Sequence, residues 1–555
     1  MLLALTLLTI NLCTTPQGGG EAELLHRFDG VSVSERLGEA LSIGGDINAD
    51  GTPDILLGAE FADVGGFTRA GLVMVFSGLD SSLLYQFAGS ADFENFGTSV
   101  VSPGDMNGDG FDDILVGSPG TDPLALANAG AIDIFSGADG SSLLHLDGTA
   151  TDALFGSAVA ALGDITGDGV PDFMVSEVGR NANDGRVYVY SGLTGTVIYQ
   201  KDGISAASLG TAISSAGDYD LDGTADFMIG SPFADTGGRI DNGVVQIFSG
   251  LTGLEILFLE GLSALDYFGS SLSGNQFLDD DSVPDFIIGS PNRNPGAIPS
   301  AGAATVFDGA TATLLYQVTG TSIADNLGNS VALTGDVNGD GFGDFIIGAR
   351  LVDVGGNTDA GSVFVFSGID GSLLLRVDGG NAQDNMGDSV TGGVDINGDG
   401  YTEVAYAAPF DDSAAILSGS VEVQRLVPIL DLSQPNFSDA VGAIIDFNLD
   451  FPLSEAGSSY ILLASRSGLG PATFMGVSIP LTVDSLFNKM VAGGPPVFTN
   501  NIGTLSATGD GIAMLTLASG NATGLIGTTV HFSALSHVGG VPSMASNARG
   551  LEILP

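Results

Sequence analysis

The chain repeats one acidic segment seven times at almost constant spacing. Aligned, the copies are DINADGTPD at 46–54, DMNGDGFDD at 105–113, DITGDGVPD at 164–172, DYDLDGTAD at 218–226, FLDDDSVPD at 277–285, DVNGDGFGD at 336–344 and DINGDGYTE at 395–403. Eight residues ahead of each stands a glycine after a large apolar residue: Leu37-Gly38, Phe96-Gly97, Phe155-Gly156, Leu209-Gly210, Phe268-Gly269, Leu327-Gly328 and Met386-Gly387. These glycines are 59, 59, 54, 59, 59 and 59 residues apart, so one copy is five residues short. A fixed period of this length restricts the fold to a solenoid, a propeller or an array.

The texture inside one unit selects among these. Between Gly97 and Gly148 the segments TSVVS, DDILVGS, AGAIDIFSG and SSLLHLDG are short and aliphatic, and clusters of Gly, Asp, Ser and Pro separate them. That is four strands joined by hairpins, with no sustained helical period, and seven such units predict a seven-bladed β-propeller. The seventh unit supplies DSVTGG, TEVAYAAP and GSVEVQRL but no fourth strand after Leu426. The missing text stands at the other end: Leu24-Leu25-His26-Arg27-Phe28-Asp29-Gly30 matches Leu143 to Gly148. The N-terminal segment is therefore expected to complete the last blade and close the ring, leaving no open edge.

Oxygen side chains at loop positions 1, 3, 5 and 9, with a sharp turn at position 6, suit a hard cation such as Ca²⁺. Loop one offers Asp46, Asn48, Asp50 and Asp54; loop two Asp105, Asn107, Asp109 and Asp113; loop three Asp164, Thr166, Asp168 and Asp172. Loop four offers Asp218, Asp220, Asp222 and Asp226; loop six Asp336, Asn338, Asp340 and Asp344; loop seven Asp395, Asn397, Asp399 and Glu403. Loop five has Phe277 at the first position and Ser282 in place of the turn glycine, which predicts weak binding or none. About six Ca²⁺ ions per chain are expected. Position 12 of loop two is Val116 where an EF-hand requires Glu, and a strand follows instead of a helix, which excludes that motif.

The pairs Phe96-Gly97, Phe155-Gly156 and Phe268-Gly269, with Gly117-Ser118-Pro119, Gly230-Ser231-Pro232, Gly289-Ser290-Pro291 and the weaker Ala407-Ala408-Pro409, resemble FG-GAP repeats. The resemblance runs from about residue 24 to 427 and is to the propeller of integrin α-subunits and of secreted bacterial proteins carrying the same unit. It implies that the position 7 carbonyls of Thr52, Phe111, Val170, Thr224, Phe342 and Tyr401 complete each ligand set. It also implies an extracellular role in binding a protein or carbohydrate ligand. No RGD-like feature, disulfide framework or stalk domain accompanies the repeats, so integrin-style signalling is not implied.

The 555 residues exceed the propeller, which is expected over 23–427. From Pro428 the acidic loop disappears, and SYILLAS, TFMGVSI, GIAMLTLA and TVHFSALS run between Gly-rich turns, so 428–555 reads as a small C-terminal β-sandwich. The fold class is all-β. At the other end, the apolar run 2–12 is long enough for a signal-peptide core and too short to span a bilayer, which assigns 1–22 to a signal peptide and the chain to the secreted or cell-surface proteins. The one cysteine, Cys13, falls within that leader, so calcium takes the stapling role that disulfides fill elsewhere.

The net charge of −52, from 66 acidic against 14 basic residues, excludes nucleic acid and anionic membrane as partners. The four histidines are scattered, and there is no H-E-x-x-H, G-x-S-x-G, P-loop or cysteine nucleophile, so no enzyme is read from the sequence. The expected role is a calcium-stabilised adhesion or ligand-binding module. A calcium-dependent polysaccharide-degrading enzyme and a structural envelope protein are the alternatives. The loops at 60–69, 118–128, 231–242, 290–300 and 350–359 must lie on the rim opposite the acidic loops, and Arg69, Arg239, Arg293 and Arg350 place positive charge there.

Overall fold

The computed structural model describes residues 22–279 and 281–426 with their side chains, and outside them only strand segments of backbone. The repeat region folds as expected into seven antiparallel four-stranded sheets arranged as blades. Blade one comprises 40–43, 55–59, 72–76 and 83–88, and blade two 99–104, 113–118, 131–135 and 142–147. Each later blade repeats this order, and the first strands of neighbouring blades pack side by side around the ring. In blade five the backbone segment Thr9–Asn11 adds in parallel to the outer edge. Strand segments between Leu430 and Leu554 pair into a four-stranded, a six-stranded and a two-stranded sheet. The sandwich expected at 428–555 turns on side chains outside the described residues, as does most of the leader expected at 1–22.

Ring closure follows the sequence expectation. Ala22–Asp29 forms the outer strand of blade seven, pairing antiparallel with Ser420–Leu426 from Ala22 opposite Leu426 to Asp29 opposite Ser420. Phe28 is buried and its ring lies 4.4 Å from that of Phe76 in blade one. His26 Nε2, 2.7 Å from the Gly78 carbonyl, donates to it and ties the same strand to the neighbouring blade.

Seven apolar clusters of described residues lie between adjacent blades. The second strands, DILVGS and DFMIGS among them, are buried along their whole length because a neighbouring blade covers each face, which explains their unbroken apolar text. Outer strands such as 142–147 alternate between exposed and half-buried positions because only one face meets the core. The large residue before each repeat glycine enters the seam with the preceding blade: Phe96 sits with Val73 and Val75, Phe155 with Ile132 and Ile134.

That seam explains why glycine is required at both ends of the motif. The Gly97 N–H donates to the Gly117 carbonyl across the first two strands of blade two at 3.0 Å. A Cβ on Gly117 would lie 2.1 Å from the Gly156 carbonyl oxygen of blade three. Substituting Gly117→Ala is expected to cost about 3 kcal/mol, since backbone must move at a close-packed interface; thermal denaturation checks this, and a loss below about 1 kcal/mol would refute the close approach.

One recurrent carboxylate was not singled out from sequence. Glu35, Glu94, Asp266, Asp325 and Asp384 each stand three residues before a repeat glycine. They accept backbone N–H groups of the preceding turn, as Glu35 does from Val31 at 3.0 Å and Ser32 at 2.7 Å. The signal was present as an acidic position recurring in five of the seven units.

Candidate metal sites

All seven acidic loops connect the first and second strands of their blades and therefore occupy one rim of the ring. Backbone N–H groups tie the loop side chains down: the position 1 aspartate of loop two accepts through both oxygens, Oδ1 from Gly108 N at 2.7 Å, whereas the acid at position 5 is held through Oδ1 and keeps its Oδ2 clear of the backbone. In loop two, Asp105 Oδ2 accepts from Gly110 N at 2.8 Å, Asn107 Oδ1 from Asp109 N at 2.9 Å and Asp109 Oδ1 from Phe111 N at 3.0 Å. The same three bonds recur in loop six at 2.8, 2.9 and 3.0 Å. Tethering the turn in this way fixes where the side-chain oxygens of positions 1, 3 and 5 point.

Position 9 does more than offer an oxygen. Asp113 is fully buried; its Oδ2 accepts from Met106 N at 2.8 Å and its Oδ1 from Gly137 N at 3.1 Å, clamping the loop to the turn after the third strand. Asp54, Asp172, Asp226, Asp285 and Asp344 repeat the clamp. Burial pushes the carboxyls of Asp54, Asp113, Asp226 and Asp285 up to about 6 and that of Glu403 to about 8, and the other loop carboxylates add to the shift. Asp344 is raised as well, first by burial and then by Asp340 and Asp336.

The donor set fits a divalent cation with oxygen preference. Oxygens of Asp218, Asp220 and Asp226 lie within 4.8 Å of one another, as do those of Asp395, Asp399 and Glu403. Asp218 Oδ1 is buried with no hydrogen-bond partner, which leaves it open to an added ligand. Sequence reading missed a further position, the residue that follows the third strand. Ser77 Oγ faces Asp50 Oδ2 at 3.4 Å, Ser136 faces Asp109 Oδ2 at 3.3 Å and Ser367 faces Asp340 Oδ2 at 3.4 Å. In blade five the equivalent residue, the last of the third strand, is Asp308, whose carboxylate comes within 4.8 Å of those of Asp279 and Asp285 where Phe277 stands at the first loop position. The recurring Phe-Ser-Gly text was its only trace in the sequence.

The opposite rim carries the long loops, and there Arg69, Arg239 and Arg350 are engaged. The Arg69 guanidinium stacks on Phe61 at 4.1 Å, Arg350 pairs with Asp388 at 2.8 Å and Arg239 with Glu260 at 3.6 Å. Exposed apolar side chains stand beside them, including Phe67, Phe93, Ile240, Leu265 and Ile416. No helix among the described residues is long and apolar enough to cross a membrane.

The FG-GAP repeat family matches residues 37–76, 96–135, 155–190, 327–366 and 386–421, which places a repeat on blades one, two, three, six and seven. Integrin alpha-5 of Xenopus laevis is 30% identical over 220 residues, covering 37% of this chain and 20% of its own. Integrin alpha-V of Gallus gallus is 31% identical over 217 residues, covering 36% and 20%. The phosphatidylinositol-glycan-specific phospholipase D of Bos taurus is 29% identical over 228 residues, covering 34% and 27%. The match thus spans about a fifth of the length of these integrin relatives. With the repeat motif, the seven blades and these relatives in agreement, the chain carries FG-GAP repeats and its propeller is similar to that of integrin α-subunits.

Proposed function

We propose that the protein is a secreted or cell-surface ligand-binding module whose propeller is stapled by Ca²⁺. The ions are held at loops one, two, three, four, six and seven by the side chains at positions 1, 3, 5 and 9, with the position 7 carbonyls completing each set. The observation that carries this reading is the division of the ring: every acidic loop lies on one rim, and the long, varied loops lie on the other. A bound divalent cation would offset two of the three or four carboxylate charges of a loop and lock the first hairpin of its blade. The scaffold so stiffened presents the opposite rim, where exposed Phe67, Phe93 and Ile240 offer apolar contact area to an extracellular protein or carbohydrate. Similarity to integrin α-subunits supports adhesion, and no nucleophile, zinc motif or phosphate loop supports catalysis.

The test is an array of glycans and surface proteins probed with and without calcium. Calcium-dependent retention of an unaltered ligand is expected. Release of a cleaved product would replace the binding reading with the polysaccharide-degrading one, and retention of nothing in either condition would favour a structural envelope role.

A further inference from the structure

Strand pairing puts one residue of each blade over its acidic loop. The residue after each position 9 acid pairs with the residue just before this site: Ile55 with Phe76, Ile114 with Phe135, Phe286 with Phe307, Phe345 with Phe366 and Val404 with Gln424. The equivalent residues over the loops are therefore Ser77, Ser136, Asp308, Ser367 and Arg425. Blade seven alone among these places a positive charge there.

Arg425 takes up the same atom that the serines face. Its Nη1 lies 2.8 Å from Asp399 Oδ2, the oxygen equivalent to Asp50 Oδ2, Asp109 Oδ2 and Asp340 Oδ2. Its Nε and Nη2 reach Glu23 Oε2 at 2.8 and 2.5 Å, on the N-terminal strand that closes the ring. We propose that Arg425 is the built-in cation of the seventh loop, which therefore takes Ca²⁺ more weakly than the other five complete loops. The proposal rests on the calcium reading above. A guanidinium hydrogen-bonded to a donor oxygen must be displaced before a divalent ion can use it, and the two positive charges repel at that distance.

The consequence lies at the seam. Blade seven is assembled from both ends of the repeat region, and Arg425 joins the N-terminal strand to the loop that calcium would otherwise organise. Closure of the ring is thereby made less dependent on calcium than the hairpins of the other blades.

Calorimetric titration and equilibrium dialysis of the full chain with Ca²⁺ test this through the number of tightly bound ions. Arg425→Ser, which introduces the serine found at this position in blades one, two and six, is expected to bind one tight ion more than wild type. The reciprocal variant Ser136→Arg is expected to bind one fewer. An unchanged tight-ion count in folded Arg425→Ser overturns the proposal, and should that variant fail to fold, an unchanged count in Ser136→Arg overturns it equally. A wild-type chain that binds no calcium refutes the calcium reading itself and this proposal with it; a chain that binds calcium but ignores both substitutions refutes only the role of Arg425.

Discussion

Removing calcium at neutral pH is expected to lower the melting temperature by on the order of 10 °C or more. At a concentration ten times Kd each site contributes about 1.4 kcal/mol by linkage, so five or six sites supply roughly 7–8 kcal/mol, the size of a typical domain's whole stability. The effect should invert with pH. In the ion-free protein the buried carboxyls of Asp54, Asp113, Asp226 and Asp285 are raised to about 6, and that of Glu403 to about 8. A carboxyl raised on folding contributes stability that is fully present below its unfolded value near 4 and is lost as pH climbs through the folded value. The chelated protein is therefore expected to melt higher at about pH 5 than at about pH 7.5. The calcium-loaded protein should show the reverse order, because the ion requires the deprotonated carboxylates. Scanning calorimetry over this range, with and without chelator, checks both statements; a chelated protein most stable at neutral pH would show that burial of these acids is not what limits it. Asp109→Ala should remove one ion and reproduce about a fifth or a sixth of the loss.

Opening the ring should cost as much without touching a metal donor. Deleting residues 22–30 removes the strand opposite Ser420–Leu426, the buried Phe28 and the His26 bond to Gly78, and it exposes an edge strand with Val421 and Val423 beside it. The expected result is a melting temperature lower by on the order of 10 °C, with aggregation on heating. Phe28→Ala, which keeps the strand, should cost about 3–5 kcal/mol from the seam between blades seven and one. Urea denaturation of both variants measures this. A truncated chain that unfolds like the intact one would show that the terminal strand does not hold the ring closed.

The repeat period, the four-strand text and the displaced fourth strand at 24–30 determined the architecture, because each repeat must find the same neighbours and a single displaced strand has one vacant place to go. The convergence of the acidic-loop carboxylates was legible for the same reason: a turn of nine residues brings its own side chains together. What lay beyond that range was not legible. That Asp113 spends both oxygens on backbone N–H groups, one of them at Gly137, depends on a contact 24 residues away across two strands. That Arg69 and Arg350 are held by Phe61 and Asp388 depends on how loops of the rim pack. The residue over each loop, serine in most blades, Asp308 in the fifth and Arg425 in the seventh, acquires its meaning only from strand register. Local spacing decides which oxygens can meet within one turn, whereas pairing between strands decides which charge stands over them.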